Sequence, residues 1–218
     1  MPATQRQIER AILQRPMPPD HLQHSRMHVG FKPDDDLLEW VKRAILSEAG
    51  PLFNPAHKHL RDASLAFLWT NAPNSRGGHA VAGMTEKPIS QGNKWAKARH
   101  DLQMDQWFGR NIEYLITLDA VYAAENPDIN FCALIDHELY HIAHKRDKDG
   151  GLAFNKETGN PVLTLVGHDV EEFVGVVERY GPGAAAGATA ELVRVANLPP
   201  LIGAAQIKAA CGNCLRLV

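Results

Sequence analysis

The chain has 218 residues, 44% of them hydrophobic, with a formal net charge of −2. That apolar share supports a real core and excludes a disordered chain, and the near-neutral charge gives no global pull toward nucleic acid or a membrane surface. Three cysteines make no disulfide framework, and no apolar run approaches a membrane span, so a cytoplasmic protein is expected.

Residues 1–33 read as a helix followed by a proline-rich connector, Arg15-Pro16-Met17-Pro18-Pro19-Asp20, and are expected to form an extension outside the core. Met1 to Arg15 holds basic residues without the apolar run of a signal peptide. His21, His24 and His28 are spaced as one helix face would present them, but Asp20 is the single carboxylate beside them and no thiol is near. A solvated polar stretch is therefore favoured over a second metal site. Asp36 to Glu48 carries Leu37, Leu38, Val41, Ile45 and Leu46 on one stripe and predicts an amphipathic helix. Leu65-Ala66-Phe67-Leu68-Trp69 is apolar without alternation, which predicts a strand buried on both faces, and Val81 to Thr85 predicts a third extended segment. At a sheet edge, that segment would accept an extended peptide by main-chain pairing.

Between Glu86 and Arg110, the basic residues Lys87, Lys94, Lys97, Arg99 and Arg110 interleave with Trp95, Trp107 and Phe108. Such a mixture can grip single-stranded nucleic acid. Asp101, Asp105 and the acidic overall balance favour the plainer reading, a solvated loop with its aromatics tucked into the sheet. Glu113 to Asp119 alternates and is rich in β-branched and aromatic residues, so it predicts a strand. Asn126-Pro127-Asp128 then breaks the chain, and Asp128 or Asn130 can cap a helix that runs to about Lys145.

That helix carries the chain's most informative run, Asp136-His137-Glu138-Leu139-Tyr140-His141, which contains H-E-x-x-H. Residues four apart share a helix face, so His137 and His141 can offer two imidazoles to one tetrahedral zinc, with Glu138 beside them as general base toward an activated water. Phe131, Leu134, Ile135, Tyr140 and Ile142 give the apolar cover of a helix backed onto a core, and Cys132 lies within it.

A third protein ligand is required. His144 lies seven residues beyond His137, a rise of roughly 10 Å at about 1.5 Å per residue, so one unbroken helix cannot close all three around one ion. After the Arg146 to Gly151 loop and a short hairpin, Val166-Gly167-His168-Asp169-Val170-Glu171-Glu172-Phe173 is expected to open a second helix ending at Tyr180-Gly181-Pro182. His168 is the favoured third ligand, with Glu172 or Glu171 the runner-up, against a reading in which His168 merely caps or packs that helix. Asp136, Asp169 and Glu172 are candidates to orient ligand imidazoles or plain solvated carboxylates, and Tyr180, His144 and Tyr140 are candidate oxyanion donors.

In this order, strand, H-E-x-x-H helix, short insertion and a segment opening at Gly167-His168, the chain resembles the SprT-like and related minimal zincin metallopeptidases. With its Asp-His-Glu-Leu run and later His-Asp-Val-Glu-Glu-Phe it is more similar still to the metallopeptidase domain found in phages and prophages. The resemblance spans roughly Asp35 to Gly181 and implies a bacterial host cytoplasm, a protein or peptide substrate, His137, His141 and His168 as zinc ligands, and Glu138 as general base. SprT-like proteins often add a zinc ribbon with two cysteine pairs, whereas here only Cys211 and Cys214 stand in that region, spaced as half a thiolate site.

The expected architecture is α+β and zincin-like: a small mixed or antiparallel sheet packed on the H-E-x-x-H helix, with helical extensions at both ends. Residues 34–182 form the metallopeptidase domain. Residues 183–218 form an Ala/Gly-rich linker and a helical tail, with Glu191 to Val195 and an apolar helix from Leu201. Two alternatives stand beside the peptidase reading, a zinc-stabilised phage module without catalysis and a protease acting on DNA-bound proteins. An intact Glu138 speaks against the first, and the missing cysteine pair speaks against the second.

Overall fold

Leu65-Ala66-Phe67-Leu68-Trp69-Thr70 is apolar on both sides of the pleat, and it forms strand β2 (Leu65–Thr70), buried along its whole length. The computed structural model describes residues 3–24, 28–76, 78–170, 188–205 and 210–211. Leu65, Phe67 and Trp69 enter the main core, while Ala66 and Leu68 face a smaller cluster with Ile112 and Leu115 on the other side. This is the period of two that a strand imposes on its side chains.

Around β2 the sheet takes the order β1 (Phe31–Pro33), β2, β5 (Tyr114–Asp119), β4 (His79–Glu86), β3 (Ser75–Arg76), with the short β8 (Ala210–Cys211) also on β4. β2 and β5 run parallel, in register from Leu65 with Tyr114 to Thr70 with Asp119. The β1, β4 and β3 pairings are antiparallel, so the sheet is mixed and the class α+β. The parallel pair sits at the centre, where burial on both faces suits its unbroken apolar run.

One face is covered by helix α4 (Lys94–Phe108), through Met104, Trp107 and Phe108. The segment read as a loop is therefore a helix. Asn93 caps it, accepting from Trp95 N and Ala96 N, and Gly109 ends it at φ 60. Trp107 stacks on Phe31 with ring centroids 5.9 Å apart, while Trp95 is 83% exposed.

The other face is covered by α1 (Gln5–Leu13), α3 (Asp35–Val41), α5 (Ala120–Glu125) and α6 (Asp128–Tyr140). Asp34 caps α3 by accepting from Leu37 N and also accepts from Trp69 Nε1 at 2.6 Å, which ties the helix start to β2. A single wide turn, Lys42–Leu46, continues α3, so the predicted helix ends near Leu46. A 3₁₀ segment, Pro55–Leu60, follows.

The N-terminal segment, expected as an extension outside the core, packs into it. Ile8 and Ala11 of α1 and Leu22 of α2 (Asp20–Gln23) belong to the main buried cluster, and Trp40 Nε1 donates to Ala11 O. Arg15, 5% exposed, donates through Nε to Asp128 Oδ1 at 2.7 Å and through Nη2 to Ala123 O at 2.7 Å, with its guanidinium 4.4 Å from the Phe131 ring centre.

Residues 167–204 make a second compact unit. Its described helix, Ala188–Ala196, carries the paired Glu191 and Arg194. No helix continues from Leu201 to Ala205, contrary to the predicted apolar helix there. Among the described residues no helix is long and apolar enough to cross a membrane.

Candidate metal centre

The site is built on α6. Phe131, Leu134, Ile135 and Leu139 are fully buried along its inner face, and Arg15 at Asp128 holds its first turn. Burial lifts the Cys132 thiol to about 12, so this cysteine stays protonated as a small core residue.

The helix ends at Tyr140, with His141 as its C-cap, rather than near Lys145 as predicted. The chain passes directly into β6 (Ile142–His144), which pairs antiparallel with β7 (Leu163–Leu165). His144 is therefore a strand residue, and the helix-spacing argument about it falls away. Its Nε2 donates to Ala153 O at 2.7 Å and its ring meets Phe154 edge-on, so the hairpin accounts for it.

His137 and His141 meet edge to face with ring centroids 5.1 Å apart, and His141 is only 2% exposed. Returning from the hairpin, the chain lies against the helix end: Val166 N donates to His141 O at 2.9 Å, and His141 Nδ1 donates to Val166 O at 2.8 Å. A carbonyl can only accept, so the second bond puts the ring proton on Nδ1 and the lone pair on Nε2. His168 follows two residues later in a non-helical stretch, where a helix was expected to begin. The ligand atoms of His137, His141 and His168 all lie within 4.8 Å of one another, the one such cluster of three or more His, Cys, Asp or Glu among the described residues. The runner-up ligands Glu171 and Glu172, the predicted helix to Tyr180, and Cys214 lie outside the described residues.

Glu138 is fully buried. The Thr85 hydroxyl, itself buried, donates to its Oε2 at 2.8 Å and reaches its main-chain oxygen at 2.9 Å. Above it β4 has Gly83, where a Cβ would stand 2.7 Å from Glu138 Oε1. The glycine is needed for close approach, not for an unusual backbone angle. A carboxylate this deeply buried is costly unless its surroundings stabilise it, and such groups concentrate at functional sites.

Asp136, left open from sequence between orienting a ligand imidazole and a plain solvated carboxylate, pairs with neither ligand but with the 3₁₀ segment. It accepts from His57 Nε2 at 2.8 Å and from Asn54 Nδ2 at 3.1 Å, and Asn54 Nδ2 also reaches Tyr140 Oη at 3.1 Å. With the His57 ring 4.5 Å from Tyr140, this cluster binds the 3₁₀ segment to the last turn of α6. The orienting acceptor for His141 is instead a backbone carbonyl.

Five participants were not singled out from sequence: Gly83, Thr85, His57, Asn54 and the Val166 carbonyl. Gly83 and Thr85 lay inside a predicted strand, but their relation to Glu138 is a contact across more than 50 residues of chain and leaves no local pattern.

The donor set, three imidazoles without thiolates whose ligand atoms lie within 4.8 Å of one another, is chemically suited to a borderline-soft divalent ion such as zinc. The model of a family described as putative phage metallopeptidase matches residues 38–197. No curated protein and no solved structure matches the chain.

Proposed function

Because the chain belongs to the putative phage metallopeptidase family, we propose that it is a zinc-dependent peptidase of zincin-like build, with its catalytic domain in residues 34–182. In this reading His137, His141 and His168 hold the metal and Glu138 is the general base. When bound, zinc supplies a Lewis acid that polarises a peptide carbonyl and brings the pKa of a coordinated water toward 7. The remaining work falls to the chain's own groups. His141 offers Nε2 because Val166 O holds its other nitrogen. Glu138 takes a proton on its carboxylate and returns it to the leaving amine, steadied by Thr85 at Oε2 and given room by Gly83. The apolar backing of α6 excludes water from the far side of the carboxylate.

The observation that carries this reading is the pairing of His137 and His141 with a wholly buried Glu138 on one helix, in a family of metallopeptidases. A metal site that only braces a fold has no use for a carboxylate buried beside its ligands. The substrate class is protein or peptide, and the compartment is the cytoplasm of a bacterial host.

Elemental mass spectrometry on the purified protein and on His168→Ala tests the assignment. One zinc per chain is expected in the unaltered protein, with a marked loss in the variant. Glu138→Gln should keep its zinc and lose about 10²- to 10⁴-fold in peptide hydrolysis, the usual worth of a positioned general base. Full zinc in His168→Ala would move the third ligand to Glu171 or Glu172. No zinc in any form, after reconstitution, would refute the peptidase reading.

A further inference from the structure

The outer side of β4 is a strand-accepting edge, and part of it is taken by the chain itself. β4 pairs with β5 on one side, from Gly83 with Leu118 to Glu86 with Leu115. On the other side β3 takes its first two residues, and β8 runs parallel to it with Ala210 opposite Val81 and Cys211 opposite Gly83.

The place where β8 sits is not arbitrary. Gly83 is the residue whose missing Cβ makes room for Glu138 Oε1, and Thr85, two residues on, donates to Glu138 Oε2. Neighbouring strands lie about 4.8 Å apart, so a segment paired at Gly83 lies one strand spacing from the residue that packs on Glu138. Any extended peptide brought to Glu138 along β4 needs the same main-chain donors and acceptors. An edge position offers them once, so the peptide and β8 exclude each other.

We propose that the C-terminal strand Ala210–Cys211 is an autoinhibitory occupant of the peptide-binding edge, and that an extended peptide reaches Glu138 by displacing it. The proposal rests on the peptidase reading above. A two-residue strand is a weak competitor, since isolated short pairings are marginal in water. Its effect is to reduce the fraction of molecules open to substrate, and apparent affinity falls by that fraction.

The test uses the full, zinc-loaded chain and Cys211→Pro, which removes a main-chain donor from β8. Two probes are titrated by calorimetry, acetohydroxamate, which needs only the metal, and a trialanine hydroxamate, which must also lie along β4. Equal acetohydroxamate affinity with trialanine hydroxamate about five- to tenfold tighter in the variant is the expected result, corresponding to β8 paired in some 80–90% of molecules. Equal trialanine hydroxamate affinity in both proteins would overturn the autoinhibition and leave the peptidase reading standing. Absence of zinc and of acetohydroxamate binding would refute the peptidase reading and the proposal with it. A second measurement needs no variant: in the unaltered chain, trialanine hydroxamate should speed amide hydrogen exchange at Ala210 and Cys211, and unchanged exchange there on saturation would also overturn the proposal.

Discussion

Gly83 does for Glu138 what no side chain could, because a single methyl at that position would stand 2.7 Å from the carboxylate oxygen. All three of the nearest atoms belong to the Glu138 side chain, which is itself fully buried, so the methyl is absorbed only if that side chain moves. Gly83→Ala is therefore expected to cost about 1–3 kcal/mol as overpacking and to push Glu138 out of line. Urea unfolding should register the first and peptide hydrolysis a further loss, with zinc content unchanged. Activity and stability both at their original levels would show that the strand yields freely. His137, Glu138 and His141 were legible in the sequence because three chemical groups at fixed spacing on one helix form a local pattern. Their supports were not, because Thr85, Gly83 and His57 reach α6 through folding rather than through spacing.

Among the elements, β2, β5 and α6 were readable, since continuous or alternating apolar runs determine them. Helix α4 was not. Its contact side is carried by Met104, Trp107 and Phe108 near one end, while Lys94, Lys97 and Arg99 crowd the other, so the apolar stripe is short and the charges read as a loop. The end of α6 was also missed: main-chain pairing of Ile142–His144 with Leu163–Leu165 stops the helix, and a partner 20 residues away leaves no stop signal near His141. At the end of β4, burial raises the Glu86 carboxyl above its ordinary value, with the His100 charge opposing. A raised acid holds its proton more tightly in the folded state, so stability falls as pH climbs from the ordinary carboxyl value through the folded one, and stays lower above it. Glu86→Gln should thus melt at a higher Tm than the original chain at pH about 7, with the gap closing near pH about 4. A gap that is the same at both values, or reversed, would refute this.

For the molecule as a whole, the family match begins at residue 38, whereas the main buried cluster begins at Ile8. The sequence concealed this because Pro16, Pro18 and Pro19 separate α1 from the rest and mimic a linker. Removing residues 1–33 would strip Ile8 and Leu22 from the core, at about 1.5–3 kcal/mol each. It would also leave Asp128 without Arg15, a smaller loss because the Asp128 side chain is 32% exposed and water can solvate it. Against a typical total of 5–15 kcal/mol, a chain starting at Asp34 should lose much of its resistance to urea and fall well below the full chain in unfolding midpoint. A midpoint unchanged within error would show that residues 1–33 are a dispensable appendage.

The bond from His141 to the Val166 carbonyl makes part of the site invisible to ordinary genetics. A carboxylate in that position could be deleted by one codon change, but every amino acid at 166 supplies the same oxygen. Alanine scanning of the hairpin would therefore score Val166 as nearly silent, and relatives could vary there freely while keeping the interaction. Only a change of chain length between Lys145 and Val162, which alters where the return strand meets the helix, would expose the dependence. The hairpin's contribution is encoded in loop length rather than in residue identity.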